Sequence, residues 1–196
     1  MSDTASPQLP ALRKDAARNR RRIMDAARAL AREGKAGQLN AVAQAADVGV
    51  GTVYRHFPTP EALRDALAAE QFTALIRHAE QAAQAPDAHA LRDFLRVALS
   101  AYLEDDIFAE AATDPNPGTP EMQDLRQQLL AQVGNLLAAA AEDGALNSSI
   151  DASDMMLLLC GIGFAIRHVP DRSDPGLPDR YLNALLDGAL RPQPRD

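Results

Sequence analysis

From Arg13 to Leu190 the apolar residues return at three- and four-residue intervals, and no stretch of useful length alternates apolar with polar residues as a strand would. That periodicity confines the chain to an all-α fold. The first stripe is Ile23, Ala26, Ala27, Leu30 and Ala31, with Gly34 and Gly37 as stop signals, which predicts a helix over about 13–33. Two short helical pieces follow, about 39–46 and 50–57, separated only by Asp47-Val48-Gly49. After Pro58, Thr59 supplies a cap, Pro60 a first-turn residue and Glu61 a carboxylate at the positive end of the helix dipole. The helix they open runs to about Ala83. Further helices are predicted from Pro86-Asp87 with a core stripe along Leu91–Tyr102, near Ile107–Ala112, from Met122 to about Gly144, from Asp151 to about His168 and over about 178–190. Asp114–Pro120, with three prolines, breaks the middle of the series. About nine helices result. Residues 1–12 hold two prolines and no period, and are expected to be a disordered tail.

The short pair around Asp47 is the most specific feature. A helix-turn-helix needs small residues where its helices meet, a turn residue that tolerates a left-handed backbone, and a short second helix whose outer face can enter a major groove. Ala43 and Ala46 permit close contact, Asp47 visits left-handed space readily, and Val42, Val48, Val53 and Phe57 supply a small core. The remaining residues of the second helix, Val50, Gly51, Thr52, Tyr54, Arg55 and His56, offer hydroxyl, phenol, guanidinium and imidazole groups to phosphates and base edges.

The net charge of −7 argues against a nucleic-acid partner only while it is taken as a total. Through residue 60 there are ten basic residues against five acidic ones, a balance of +5, which leaves −12 for the remainder. A polyanion would therefore meet the first sixty residues. The longest apolar run, Met155–Ile166, is twelve residues, short of the ~20 a membrane-spanning helix needs, so no membrane partner is expected. The start of the chain lacks the basic-then-apolar layout of a secretory signal, and the lone Cys160 has no partner for an internal disulfide. A cytoplasmic protein is the expectation.

The segments Ile23-Met-Asp-Ala-Ala-Arg-Ala-Leu, Val42-Ala-Gln-Ala-Ala-Asp-Val-Gly-Val-Gly-Thr-Val-Tyr-Arg-His-Phe-Pro and Glu61-Ala-Leu together resemble the DNA-binding head of the TetR-type transcriptional regulators. The resemblance implies that Thr52, Tyr54 and His56 contact phosphates, that Val50, Gly51 and Arg55 lie nearest the bases, and that Lys14 and Arg18 lie near the backbone or minor groove. Three positions depart from the family pattern. Gln38 stands where a capping threonine is usual, which weakens the first motif helix by under ~1–2 kcal/mol. Asp47 replaces the usual turn glycine, and Pro60 replaces a lysine that often grips a phosphate, which makes the salt slope of binding shallower. The domain reading is a head over 13–60, with its motif at about 38–57, and a body over 61–196.

For the body, the resemblance implies a homodimer and a cavity for a small-molecule effector. The helix over 151–168 is apolar nearly all round, which independently suggests burial on every side, with Gly161 and Gly163 admitting a second helix closely. The expected dimer contacts are Leu157, Gly161, Phe164, Leu182, Leu185 and Leu186, with plain intrachain core as the competing role. Leu157-Leu-Leu-Cys-Gly-Ile-Gly-Phe and the closing Tyr181-Leu-Asn-Ala-Leu-Leu-Asp-Gly-Ala-Leu-Arg-Pro are also similar to the C-terminal domain of the SbtR-like subgroup. Candidate pocket residues are Phe94, Tyr102, Phe108, Met122, Leu125, Leu129, Met156 and Phe164, with Arg126 or His78 as a polar handle, and core packing competes for each. Cys160 is expected to be a buried, inert thiol.

No enzymatic constellation is visible. The four histidines show no pair at metal-ligand spacing, no glycine-rich phosphate loop is present, no cofactor is implied, and Glu104-Asp105-Asp106 is the end of a solvated helix sooner than a carboxylate site. The resulting expectation is a DNA-binding regulator, a repressor released from a palindromic operator by a small molecule. The rival is a helical small-molecule-binding or interaction protein that no longer reads DNA.

Overall fold

The computed structural model describes residues 8–31, 35, 37–84, 89–116, 118–142, 150–170 and 174–189. Among these there are nine helices and no strand: α1 (Gln8–Ala31), α2 (Leu39–Ala45), α3 (Val50–His56), α4 (Pro60–Gln84), α5 (Ala90–Glu104), α6 (Asp106–Thr113), α7 (Pro120–Glu142), α8 (Ala152–His168) and α9 (Leu177–Ala189). The order and type are those that the periodicity predicts. The largest difference is at the start, where α1 begins five residues before the predicted Arg13. Pro10 lies in its first turn, where backbone N–H groups have no intrahelical acceptor, so the proline interrupts nothing. Residues 1–7, the glycine stop at Gly34, the predicted helix start at Pro86-Asp87 and the predicted helix end at Gly144 lie outside the described residues.

The helices form two compact units, residues 1–67 and 68–196. In the first, Ile23, Met24 and Ala27 of α1 are buried, as are Leu39, Val42 and Ala43 of α2, Val53 of α3, and Leu63 and Leu67 of α4. Phe57, just beyond α3, is also buried, whereas Val48 of the predicted small core is half-buried. The Thr59 hydroxyl accepts from the Ala62 N–H at 3.1 Å and caps α4. Hydrogen bonds from its own backbone N–H and from Thr59 hold the Glu61 carboxyl below its usual range.

The second unit has a continuous apolar core. Phe72, Leu75 and Ile76 of α4 join Leu91, Phe94, Leu95, Leu99 and Tyr102 of α5, Phe108 of α6, Leu129, Val133 and Leu136 of α7, and Met155 and Leu159 of α8. The acidic run at the α5–α6 junction is structural: Asp105 accepts from the Phe108 N–H at 2.9 Å and caps α6, while Asp106 pairs with Arg167 of α8. The Arg167 guanidinium also donates to the Tyr102 carbonyl and lies 5.2 Å from the Tyr102 ring. A capping box starts α8, with the Asp154 N–H donating to the Asp151 carboxylate at 2.8 Å.

Two expectations are corrected here. Leu182 and Leu186 are 1% and 0% exposed within a single chain, so they belong to its own core and are unavailable to a second copy, while Leu185 is half-buried. The α8 helix is also not buried on every side, because its own unit covers only one face. Leu157 and Phe164 remain 68% and 58% exposed, beside exposed Leu158, Gly161 and Ala165.

Candidate functional site

The junction of α2 and α3 is closed by a hydrogen-bond pattern that explains its shape. Asp47 N–H donates to the Gln44 carbonyl and Val48 N–H to the Ala43 carbonyl, both at 3.1 Å, which is the two-bond helix ending that requires a left-handed residue. Asp47 supplies it with φ of 48°, the one positive-φ non-glycine residue among those described. Arg22 of α1 then donates to the Asp47 carboxylate at 2.9 Å and to its carbonyl at 3.2 Å, tying the turn to the first helix. Arginine at 22 is thus the companion of the non-glycine turn. Gln38 makes no side-chain cap, and the start of α2 is held instead by its carbonyl, which accepts from the Val42 N–H.

This turn sets the roll of α3. Its inward side is Val53, backed by Phe57 just past the helix, and both are buried. Its outward side carries Val50, Gly51, Tyr54 and Arg55, all exposed, while Thr52 and His56 are half-buried at the flanks. Val50 and Tyr54 are 44% and 48% exposed, which leaves much of an apolar side chain and of a phenol in water. A Cβ at Gly51 would meet nothing within 4 Å among the described residues. Arg20 of α1 lies 4.8 Å from the Phe57 ring and brings a cation beside His56. Lys14 and Arg18 are exposed on α1, and Arg18 pairs with Asp15 at 3.1 Å.

Partial burial lowers the His56 pKa from 6.5, and Arg20 and Arg55 push it in the same direction. The imidazole is therefore neutral at pH 7 in the free protein. Because the folded value lies below the unfolded one, the stability linked to this group is complete above 6.5 and is lost as pH falls through the folded value. An NMR titration of the His56 ring is expected to find its midpoint below 6.5, and a midpoint at or above that value contradicts the arrangement.

The second unit holds a pocket of about 140 Å³. Its walls are Phe72 of α4, Phe108 and Ala112 of α6, Arg126, Leu129 and Leu130 of α7, and Ser153, Met156, Leu157 and Cys160 of α8. The structure thus brings together Phe108, Arg126, Leu129 and Met156 of the predicted pocket set and leaves the others elsewhere. Met122 is in the core, Leu125 is half-buried against it, Tyr102 packs on Gly163, and Phe164 points outward, stacked on His168 with ring centroids 4.0 Å apart. Phe94 and His78 line a different groove, with Asp93 and Val97. Ser153, Met156, Leu157 and Cys160 recur at 0, 3, 4 and 7, a helical face that was legible in the sequence. Phe72 carried no such signal. Cys160 is half-buried in this wall, contrary to full burial, and desolvation raises its thiol pKa while Arg126 opposes the shift.

Residues 23–67 match the model of bacterial regulatory proteins of the tetR family, and residues 85–192 match that of the C-terminal domain of SbtR-like transcriptional regulators. The second match alone spans more than half of the chain. The chain belongs to the TetR family. Among solved TetR-family structures, a regulator from Streptomyces coelicolor is 32% identical with a TM-score of 0.59, covering 89% of this chain and 99% of that one. Another, from Mycobacterium vanbaalenii, is 30% identical with a TM-score of 0.56, covering 92% and 99%. The HTH-type transcriptional repressor KstR of Rhodococcus jostii is 49% identical over 55 residues, which amount to 27% of this chain and 26% of that repressor. This member of the TetR family is thus a transcriptional regulator with a helix-turn-helix head and a helical body. Among its described residues, no helix is long and apolar enough to cross a membrane.

Proposed function

We propose that the chain is a repressor that binds a near-palindromic operator as a homodimer and is released by a small-molecule effector. The observation that carries this reading is the division of α3, with Val53 inward and Val50, Gly51, Tyr54 and Arg55 outward. Exposed Val50, Gly51 and Arg55 face the bases, while Tyr54, His56, Thr52 and the α1 residues Lys14 and Arg18 face the phosphates. The KstR repressor's likeness is concentrated in a segment of 55 residues, which supports repression as the sense of regulation. The open apolar face of α8, with Leu157, Gly161 and Phe164, supports a second copy as partner. An effector that prefers the dimer conformation with mis-spaced heads would release DNA, with a coupling of ~1–3 kcal/mol.

The test is a selection of bound sequences from random duplex DNA. The expected product is an inverted repeat with half-site centres ~34–36 Å apart. The affinity for it is expected to fall linearly on a log–log plot against salt, with a slope of ~−0.9 per phosphate contacted. Failure to retain any duplex at physiological ionic strength overturns the reading.

A further inference from the structure

We infer that Arg20 of α1 is a further operator contact, a guanidinium that grips the same backbone phosphate as His56 of α3. The inference deepens the proposed function by adding a residue to its DNA-facing surface, and it rests on that reading.

Arg20 stands in the sequence where an apolar residue is expected. With Ile23, Met24 and Ala27 it falls at i, i+3, i+4 and i+7, a single stripe of α1, and the other three are buried in the head. An arginine at the rim of a core lays its stem on apolar surface and brings its charge out. Arg20 is half-buried in this way, with its guanidinium carbon 4.8 Å from the centre of the buried Phe57 ring. Pairing also sets it apart from other arginines of the helix. Arg18, Arg22 and Arg28 lie 3.1, 2.9 and 3.5 Å from the carboxylates of Asp15, Asp47 and Asp25. Among the described residues no carboxylate is paired with Arg20, whose contact is the Phe57 ring.

The place it reaches is the end of α3. His56 is the last residue of that helix, and its imidazole is held neutral by partial burial and then by the charges of Arg20 and Arg55. A neutral imidazole offers a phosphate an N–H but no charge. Arg20 supplies the charge, as a planar fork of donors suited to phosphate oxygens. Stacking on Phe57 limits its rotation before DNA arrives, so less freedom is lost on binding. The cations gathered at this end of α3 repel one another until an anion settles among them, and the anion that an operator offers at a helix flank is the phosphodiester.

The experiment compares the full chain with Arg20→Met, which keeps an apolar stem on Phe57 and removes the charge. Fluorescence anisotropy over a salt series is run on the selected operator and on an unrelated duplex. Arg20→Met is expected to bind about tenfold or more weakly at physiological ionic strength. Its log–log salt slope is expected to be shallower by ~0.9 per head, or ~1.8 for the dimer. The loss should be similar on both duplexes, because a phosphate contact carries no sequence information. Arg20→Lys should restore most of the slope. Thermal melting shows which variants keep the fold, and Arg20→Gln provides the same comparison if Arg20→Met does not. An NMR titration without DNA checks the juxtaposition: with one of two neighbouring cations gone, the His56 midpoint should rise above that of the unaltered chain. An unchanged salt slope, a loss confined to the operator, or a His56 midpoint that stays in place overturns the inference and leaves the repressor reading standing. An unaltered chain that retains no duplex removes both.

Discussion

Changing Tyr54 and His56 together to alanine is expected to abolish operator binding while the head stays folded and the assembly state is unchanged. Tyr54 is 48% exposed, so its loss is expected to alter stability by about the 0.5 kcal/mol typical of surface positions. His56 is half-buried beside Phe57, with ring centroids 6.3 Å apart, and its removal costs a weak aromatic contact. The loss at the operator is much larger. In the proposed complex each side chain meets a phosphate, and hydrogen bonds to charged groups are worth ~1.5–3 kcal/mol each. Two losses in each head come to ~3–6 kcal/mol, or roughly two to four decades in affinity. A palindromic site doubles that loss in the dimer. Fluorescence anisotropy on the selected operator measures the affinity, and sedimentation measures the assembly state. Unchanged affinity in the double variant would sink the assignment of α3 as the reading helix. Val53→Ala is the contrasting control: this side chain is fully buried, so binding should fail there together with the thermal stability of the head.

The fold was legible in good part because several helices carry their own start chemistry. Thr59 before Pro60, Asp105 before Asp106 and the Asp151–Asp154 box all cap the helices that follow them, and each is a short-range signal that tertiary packing need not supply. The start of α1 was misjudged for a local reason too, since Pro10 reads as a breaker unless its place in the first turn is known. The exposed side of α3 was equally legible, because a seven-residue helix between a left-handed turn and a buried Phe57 has a single roll that buries Val53. The body was harder. Its stripes show which residues face inward but not which neighbouring helix they meet, so the ten candidate lining residues, polar handles included, resolved into four that share the pocket and others in the core, on the surface or along another groove. Leu182 and Leu186 illustrate the ambiguity: an apolar stripe serves an intrachain core and a dimer seam equally well until the other helices are placed.

The two α8 glycines illustrate it further, and predict opposite outcomes for one substitution. Gly163→Ala is expected to destabilise the chain, whereas Gly161→Ala, two residues away, is expected to stabilise it. Both gain helix propensity, worth ~1 kcal/mol for alanine over glycine. At Gly161 a Cβ meets nothing within 4 Å among the described residues of its own chain, so that gain stands for the single chain. At Gly163 a Cβ would lie within 3.0 Å of three Tyr102 ring carbons. The ring has little room to yield: Tyr102 is buried, its face lies 5.2 Å from the Arg167 guanidinium, and Arg167 is fastened to both the Tyr102 carbonyl and Asp106. Overpacking of a core costs ~1–3 kcal/mol, and a contact this short belongs at the upper end, so the clash outweighs the propensity gain. Gly163 is thus small for the sake of its own chain's α5, and only Gly161 is open to a second copy. Urea midpoints of the two variants test the signs. Tyr102→Leu tests the cause: with the ring gone, Gly163→Ala should lose its penalty, and the double-mutant cycle should show a coupling of ~1–3 kcal/mol. Additive effects of Tyr102→Leu and Gly163→Ala would place the strain somewhere other than the α5–α8 contact.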